Sequence, residues 1–232
     1  MPTRKRDQEE VASPRVAEEW SRRVVAEYRS AALTAQLAGW LIEIGASPDL
    51  IRMALRIVDD ELVHAELAHA VTQALGVKVP PIERRSLRLS GGRGPRVRDV
   101  ARVGVALFCL GETLAVRLFR ALRQECRRPL ARAALDRILR DEVRHRDFGW
   151  QLLGWLLASQ PALRSGVVHA LPGQLRALRA SYAPALGRVV PLDEEERAWG
   201  LVDPPEYAAI LERTELRDLR PRFARLGITL PT

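Results

Sequence analysis

Two stretches of the chain pair a glutamate with a histidine three residues later: Glu61 with His64 in "VDDELVHAELAH", and Glu142 with His145 in "LRDEVRHRDFG". An aspartate stands directly before each glutamate, Asp60 in the first copy and Asp141 in the second. Three residues is nearly one turn of an α-helix, so on a helix the carboxylate and the imidazole share a side and can reach one ligand. Two more glutamates precede the pairs at similar spacing, Glu27 before the first and Glu112 before the second. Hard carboxylate oxygens mixed with imidazole nitrogens suit iron or manganese, with zinc also within range, better than a thiolate-seeking metal. The two cysteines, Cys109 and Cys126, make neither a cysteine-only metal site nor a disulfide framework, and they suit a reducing cytosol.

The elements that must position these groups are helices. Ser13 and Pro14 read as an N-cap and first helical residue, and the pattern runs to Gly45; Ser47, Pro48 and Gly76 repeat the signals for a second helix. So short a joint makes the two helices antiparallel neighbours. Residues 77–96, rich in Pro, Gly and Arg, read as a crossover linker, followed by a third helix from Val97 to Arg127 and a fourth from Pro129 to Ser159. A fifth helix is expected near 163–182, and residues 190–232 read as two shorter helices broken at "VDPPE". No strand-like alternation stands out. The expected architecture is therefore all-α: a disordered basic N-terminus over residues 1–13, a four-helix bundle over 14–160, and a helical extension over 161–232 packed on the bundle.

Stepping by three or four along the fourth helix gives Ala131, Leu135, Ile138, Glu142, His145, Gly149, Leu152 and Leu156. That stripe is apolar except for the Glu and the His. The first helix likewise sinks Glu27 between Val24 and Ala31, the second sinks Glu61 between Val58 and Ala65, and the third sinks Glu112 between Phe108 and Ala115. Four converging carboxylates in a desolvated core need compensation, and these stripes offer no Lys or Arg. Cations are the natural answer: four Glu and two His provide six protein ligands, enough for two ions with bridging carboxylates and open positions. A third copy, Glu66 with His69, lacks the preceding Asp and turns away from the inward stripe, so it reads as accidental. His69, His169 and Tyr28 read as flank or packing residues, and Arg144 as an ion-pair partner on the bundle flank.

The order Glu27, "DELVH", Glu112, "DEVRH" resembles the ferritin-like di-iron carboxylate superfamily over roughly residues 14–160. The resemblance implies that Glu27, Glu61, His64, Glu112, Glu142 and His145 are the ligands of two iron ions, with Mn/Fe or other divalent pairs as variants. It also implies that Asp60 and Asp141 each accept a hydrogen bond from the opposite motif's histidine, fixing its tautomer. The implied activity is that of an oxidoreductase that activates O2 to hydroxylate or oxidise a small organic substrate, with an external electron donor. Ala31, Thr34, Phe108 and Phe119, small residues opposite aromatics beside the ligands, outline a substrate pocket. Rival readings are a ferritin- or rubrerythrin-like ferroxidase or peroxidase, a tRNA-modifying di-iron hydroxylase, and a helical protein whose metals are structural.

Charge bears on the tRNA reading. The formal net charge is +8, yet of 37 basic residues only Lys5 and Lys78 are lysines. So lopsided an arginine excess, without a run of five or six like charges inside the fold, fits coding bias better than a phosphate-binding surface, which places nucleic acid behind a small molecule as partner. The N-terminus "MPTRKRDQEEVAS" has no apolar run and no stretch is apolar enough to span a bilayer, so the expected location is cytoplasmic, with no membrane partner and a homodimer compatible with the reading.

Overall fold

The computed structural model describes residues 13–182 and 190–230. The expected disordered N-terminus lies outside the described residues except for Ser13. All regular structure is helical: α1 (Pro14–Glu43), α2 (Pro48–Ala74), a short 3-10 turn (Arg84–Leu87) in the linker, then α3 (Arg96–Gly104), which continues through a π-helical segment (Val105–Glu112) into α4 (Thr113–Glu125). After α5 (Pro129–Ser159) come α6 (Leu163–Ser181), α7 (Glu194–Ala198) and α8 (Pro204–Thr214), the last passing through a second π-helical stretch (Glu215–Leu219) into α9 (Arg220–Arg225).

The helix ends follow local chemistry. Ser13 Oγ accepts a hydrogen bond from Val16 N at 3.3 Å and Ser47 Oγ from Leu50 N at 3.4 Å, each with proline at the first helical position. Gly45 and Gly76 take φ values of 67° and 68° and reverse the chain after α1 and α2, a left-handed backbone that glycine adopts without a Cβ penalty. The third helix differs from the plain α-helix its sequence predicts, because one stretch of eight residues widens to π geometry as it passes α5. There α5 approaches at Gly149, where a Cβ would stand 2.5 Å from Phe108 Cβ and 2.7 Å from its carbonyl carbon.

Four long rods form a closed ring: α1 packs on α2, α2 on α5, α5 on α4 and the first π segment, and α3 returns against α1. Their shared interior falls into two apolar clusters. One holds Leu37, Leu41, Leu50, Ile57, Val100, Phe108, Phe148 and Leu152; the other holds Val16, Trp20, Val24, Val71, Leu114, Phe119, Leu135 and Ile138. On each rod the glutamate or Glu-His pair of interest falls between the two. The C-terminal helices extend both clusters, with Val167, Leu171 and Phe223 joining the first and Leu201, Tyr207 and Ile210 the second. Trp20 Nε1 donates to Trp199 O at 3.1 Å, and the turn between α4 and α5 donates Arg127 N and Arg128 N to Ala198 O at 2.9 and 3.0 Å. Among the described residues no helix is long and apolar enough to cross a membrane.

Candidate metal centre

Glu27 on α1, Glu61 and His64 on α2, Glu112 at the end of the first π segment, and Glu142 and His145 on α5 meet in the layer between the two apolar clusters. Five of the six are buried, and Glu112 is the least enclosed. Glu27, Glu61, His64 and Glu142 each offer a donor atom within 4.8 Å of the others, and so do Glu61, Glu112 and His145. His64 Nδ1 lies 3.8 Å from Glu27, 3.6 Å from Glu61 and 3.7 Å from Glu142; His145 Nδ1 lies 3.5 Å from Glu61 and 3.3 Å from Glu142. Glu61 and Glu142 therefore stand between the two histidines, whose ring centroids are 5.6 Å apart, while Glu27 and Glu112 each serve one side.

The outer nitrogens are held crosswise. His64 Nε2 lies 3.3 Å from Asp141 Oδ2 and His145 Nε2 lies 3.3 Å from Asp60 Oδ2, so each motif's aspartate meets the other motif's ring. An Nε2-H donated to a carboxylate leaves Nδ1 as the free lone pair, turned to the centre. Arg144 Nη2 bonds Asp60 at 3.0 Å and Asp141 at 2.7 Å, and Arg137 pairs with the same two carboxylates. These cations, together with the histidines, outweigh burial and hold both aspartates below the usual carboxylate range.

Whether the inner atoms suit a cation is decided by what they lack. Glu61 Oε2, Glu142 Oε2, His64 Nδ1 and His145 Nδ1 are buried without a hydrogen-bond partner among the described residues. Native interiors pair the large majority of their buried polar atoms, and here four orphaned ones converge on one spot. All four are lone-pair donors of the types that carboxylate- and imidazole-binding metals prefer. The buried Glu/His cluster could thus hold a metal ion.

Without a cation the cluster keeps protons. Burial, with the neighbouring Glu27 and Glu112, pushes the Glu61 carboxyl up to about 8, and burial with Glu61 and Glu27 does the same for Glu142, also to about 8. Burial and Glu142 carry Glu112 well above its ordinary value. Burial opposes charge on His64, but its carboxylate partners Glu27 and Glu61 prevail and raise it to about 11; His145 is raised by Asp60 and Glu61 against the same burial. Of the four inner glutamates Glu27 alone falls, because the neighbouring His64, with the Arg23 charge, outweighs the cost of burial.

Ala31, Thr34, Phe108 and Phe119 are all buried, but they do not share one lining. Phe108 meets Phe148 edge-on at 4.9 Å in the first apolar cluster, whereas Phe119 lies in the second. Glu66, His69 and His169 are exposed, as is Tyr28, away from the centre. Arg144 does more than pair on the flank, since it joins the two aspartates behind the histidines. Sequence reasoning missed three contributors. Ser30 Oγ donates to Glu61 Oε1 at 2.7 Å. Arg23, one turn before Glu27, is buried, which corrects the expectation that the inward faces carry no cation. Tyr182, which follows α6, comes near enough for Glu112, Glu142 and Glu27 to oppose its ionisation. An Arg four residues before a core glutamate, beside Trp20, was the available signal for Arg23; nothing in the sequence orients α6 toward the centre.

In comparisons with known proteins, the chain matches no family model, no curated protein and no solved structure.

Proposed function

We propose that the chain is a ferritin-like, non-haem di-iron carboxylate oxidoreductase that activates O2 to hydroxylate or oxidise a small organic substrate. One observation carries this reading: four unpartnered, buried donor atoms of the two Glu-x-x-His pairs converge, with Glu27 and Glu112 beside them, between two apolar clusters. Two iron ions held there would supply the reduction of dioxygen, with electrons from an external donor.

In this reading Glu27 with His64, and Glu112 with His145, would each hold an ion, with Glu61 and Glu142 placed between the two histidines. The chain's other groups set the conditions. Asp60 and Asp141 keep a proton on the outer nitrogen of each ring and so keep the inner lone pair available. Arg137 and Arg144 hold those aspartates ionised. The apolar clusters exclude water from either side, which protects a reactive oxidant from side reactions. Glu112, the least enclosed ligand, marks the side from which substrate and O2 reach the centre.

The test is metal analysis of protein loaded anaerobically with Fe(II), followed by its optical spectrum and oxygen uptake on exposure to O2. Iron bound at the six residues with oxygen consumed is the expected result. A protein that unfolds on chelation yet consumes no oxygen when iron-loaded would leave only a structural role for the metal.

A further inference from the structure

One buried cation beside the centre is not fully accounted for by it: the charge of Arg23 favours the ionised form of Glu27, yet its guanidinium keeps a donor without a partner. Arg23, on α1, is 6% exposed, and its Nη1 is buried without a hydrogen-bond partner among the described residues. Its guanidinium carbon sits 4.2 Å from the Trp20 ring centroid and 5.5 Å from that of Phe119. A guanidinium taken out of water with one donor unpartnered is costly, and stacking on rings recovers only part of that cost. The position is also particular. Arg23 precedes Glu27 by one turn, about 6 Å along the helix axis. Tyr207 from α8 shares this neighbourhood, since the Arg23 charge acts on its hydroxyl. Its ring is 6.2 Å from that of Tyr182, whose hydroxyl senses the carboxylates of the centre. Trp20, Phe119 and Tyr207 belong to one apolar cluster, with Tyr182 packed against it, so four aromatic rings gather in the cluster that Arg23 stacks on, one turn from Glu27.

We propose that Arg23 receives the carboxylate of the organic substrate, so that the substrate class is a carboxylic acid whose apolar body lies on Phe119, Tyr182 and Tyr207 and reaches toward Glu27. A planar guanidinium matches a carboxylate in shape as well as charge, and the match is strongest where water is excluded. The proposal rests on the oxidoreductase reading for the fate of the acid, though not for its binding.

Calorimetric titration of protein loaded anaerobically with Fe(II) tests it, with benzoate and octanoate against benzamide and octanamide as uncharged counterparts. The acids should bind at least about tenfold more tightly than the amides, and Arg23→Gln should weaken acid binding on the order of 10- to 100-fold while amide binding and metal content hold. Equal binding of acids and amides, no binding of acids, or acid binding unchanged in Arg23→Gln would overturn it, the last because the carboxylate would then sit on the metal ions. Should Arg23→Gln fail to fold, Arg23→Lys decides on the same titration: it keeps the charge but loses the planar fork, so weaker acid binding with unchanged amide binding supports the site, and no change overturns it. Arg23-dependent acid binding without oxygen uptake keeps the site and removes the oxygenase reading. Oxygen uptake without Arg23-dependent binding does the reverse.

Discussion

A carboxylate surrounded by other carboxylates holds its proton longer in the fold than in the unfolded chain, and Glu61 and Glu142 do so up to about 8 against an ordinary 4.5. Between those values the folded metal-free protein binds more protons than the unfolded one, so stability falls as pH rises through that window. His64, raised from 6.5 to about 11, acts in the same direction, while Asp60, Asp141 and Glu27, all lowered, have made their full contribution by pH 5. Metal-free protein should therefore melt at a lower temperature at pH 8 than at pH 5.5. Metal affinity should climb over the same range, because binding displaces those protons. Thermal melts with and without metal check both signs, and a metal-free melting point that rises toward pH 8 would contradict the clustering of the carboxylates. Single substitutions separate the ligands further. Glu61→Ala or Glu142→Ala should disturb both halves of the centre, whereas Glu27→Ala should spare the His145 half; metal content per chain shows which. Asp141→Asn should leave the fold intact and lower metal affinity about 10- to 100-fold, the range for lost partners of a ligating histidine. Affinity equal to wild type would remove Asp141 from that role.

At the scale of elements, the ends of α1 and α2 were written in the chain because Ser-Pro and Gly act locally, whatever surrounds them. The inward glutamates were legible for a related reason, since a charge on an otherwise apolar stripe breaks the 3.6-residue pattern. The π-helical passage at Val105–Glu112 was not legible: "VALFCLGE" is apolar nearly all round, and the widening coincides with a tertiary contact, the approach of α5 at Gly149. Arg23 was hidden similarly, because the neighbouring Val24 satisfies the stripe, and whether an adjacent arginine turns in or out depends on what α4 and α8 place beside it. The α5 contact can be probed directly. Gly149→Ala must push against Phe108 and the backbone beside it, and overpacking of this kind costs about 1–3 kcal/mol, more than the helix propensity it gains. A melting point lower by several degrees is expected, together with weaker metal binding as Glu112 shifts. Gly39→Ala on α1 is the contrast, since a Cβ there meets nothing within 4 Å. It should raise stability by about 0.5–1 kcal/mol, and a gain at Gly149 matching that at Gly39 would show that helix propensity rather than contact sets both.

Across the whole molecule the question is whether a metal held at the centre would be kept or passed on. The C-terminal helices extend both apolar clusters and tie α7 to the turn between α4 and α5, an arrangement suited to retention. With excess Fe(II) and O2, rapid oxidation should stop at about two irons per chain, the number six such ligands hold, with no mineral core and no large cage by sedimentation. Continued oxidation of many irons per chain into a soluble core would favour storage over oxygenase chemistry. The split interior has one more consequence, in how the molecule comes apart. Because a polar layer interrupts the core within the bundle, with Leu178 of α6 packing against both apolar clusters from outside it, each cluster holds its own ends of the same four rods. Filled with cations, that layer is a rivet that makes the ends melt together. Emptied, it becomes a seam, so native-state amide exchange on the metal-free protein should resolve two separately opening units where the loaded protein shows one.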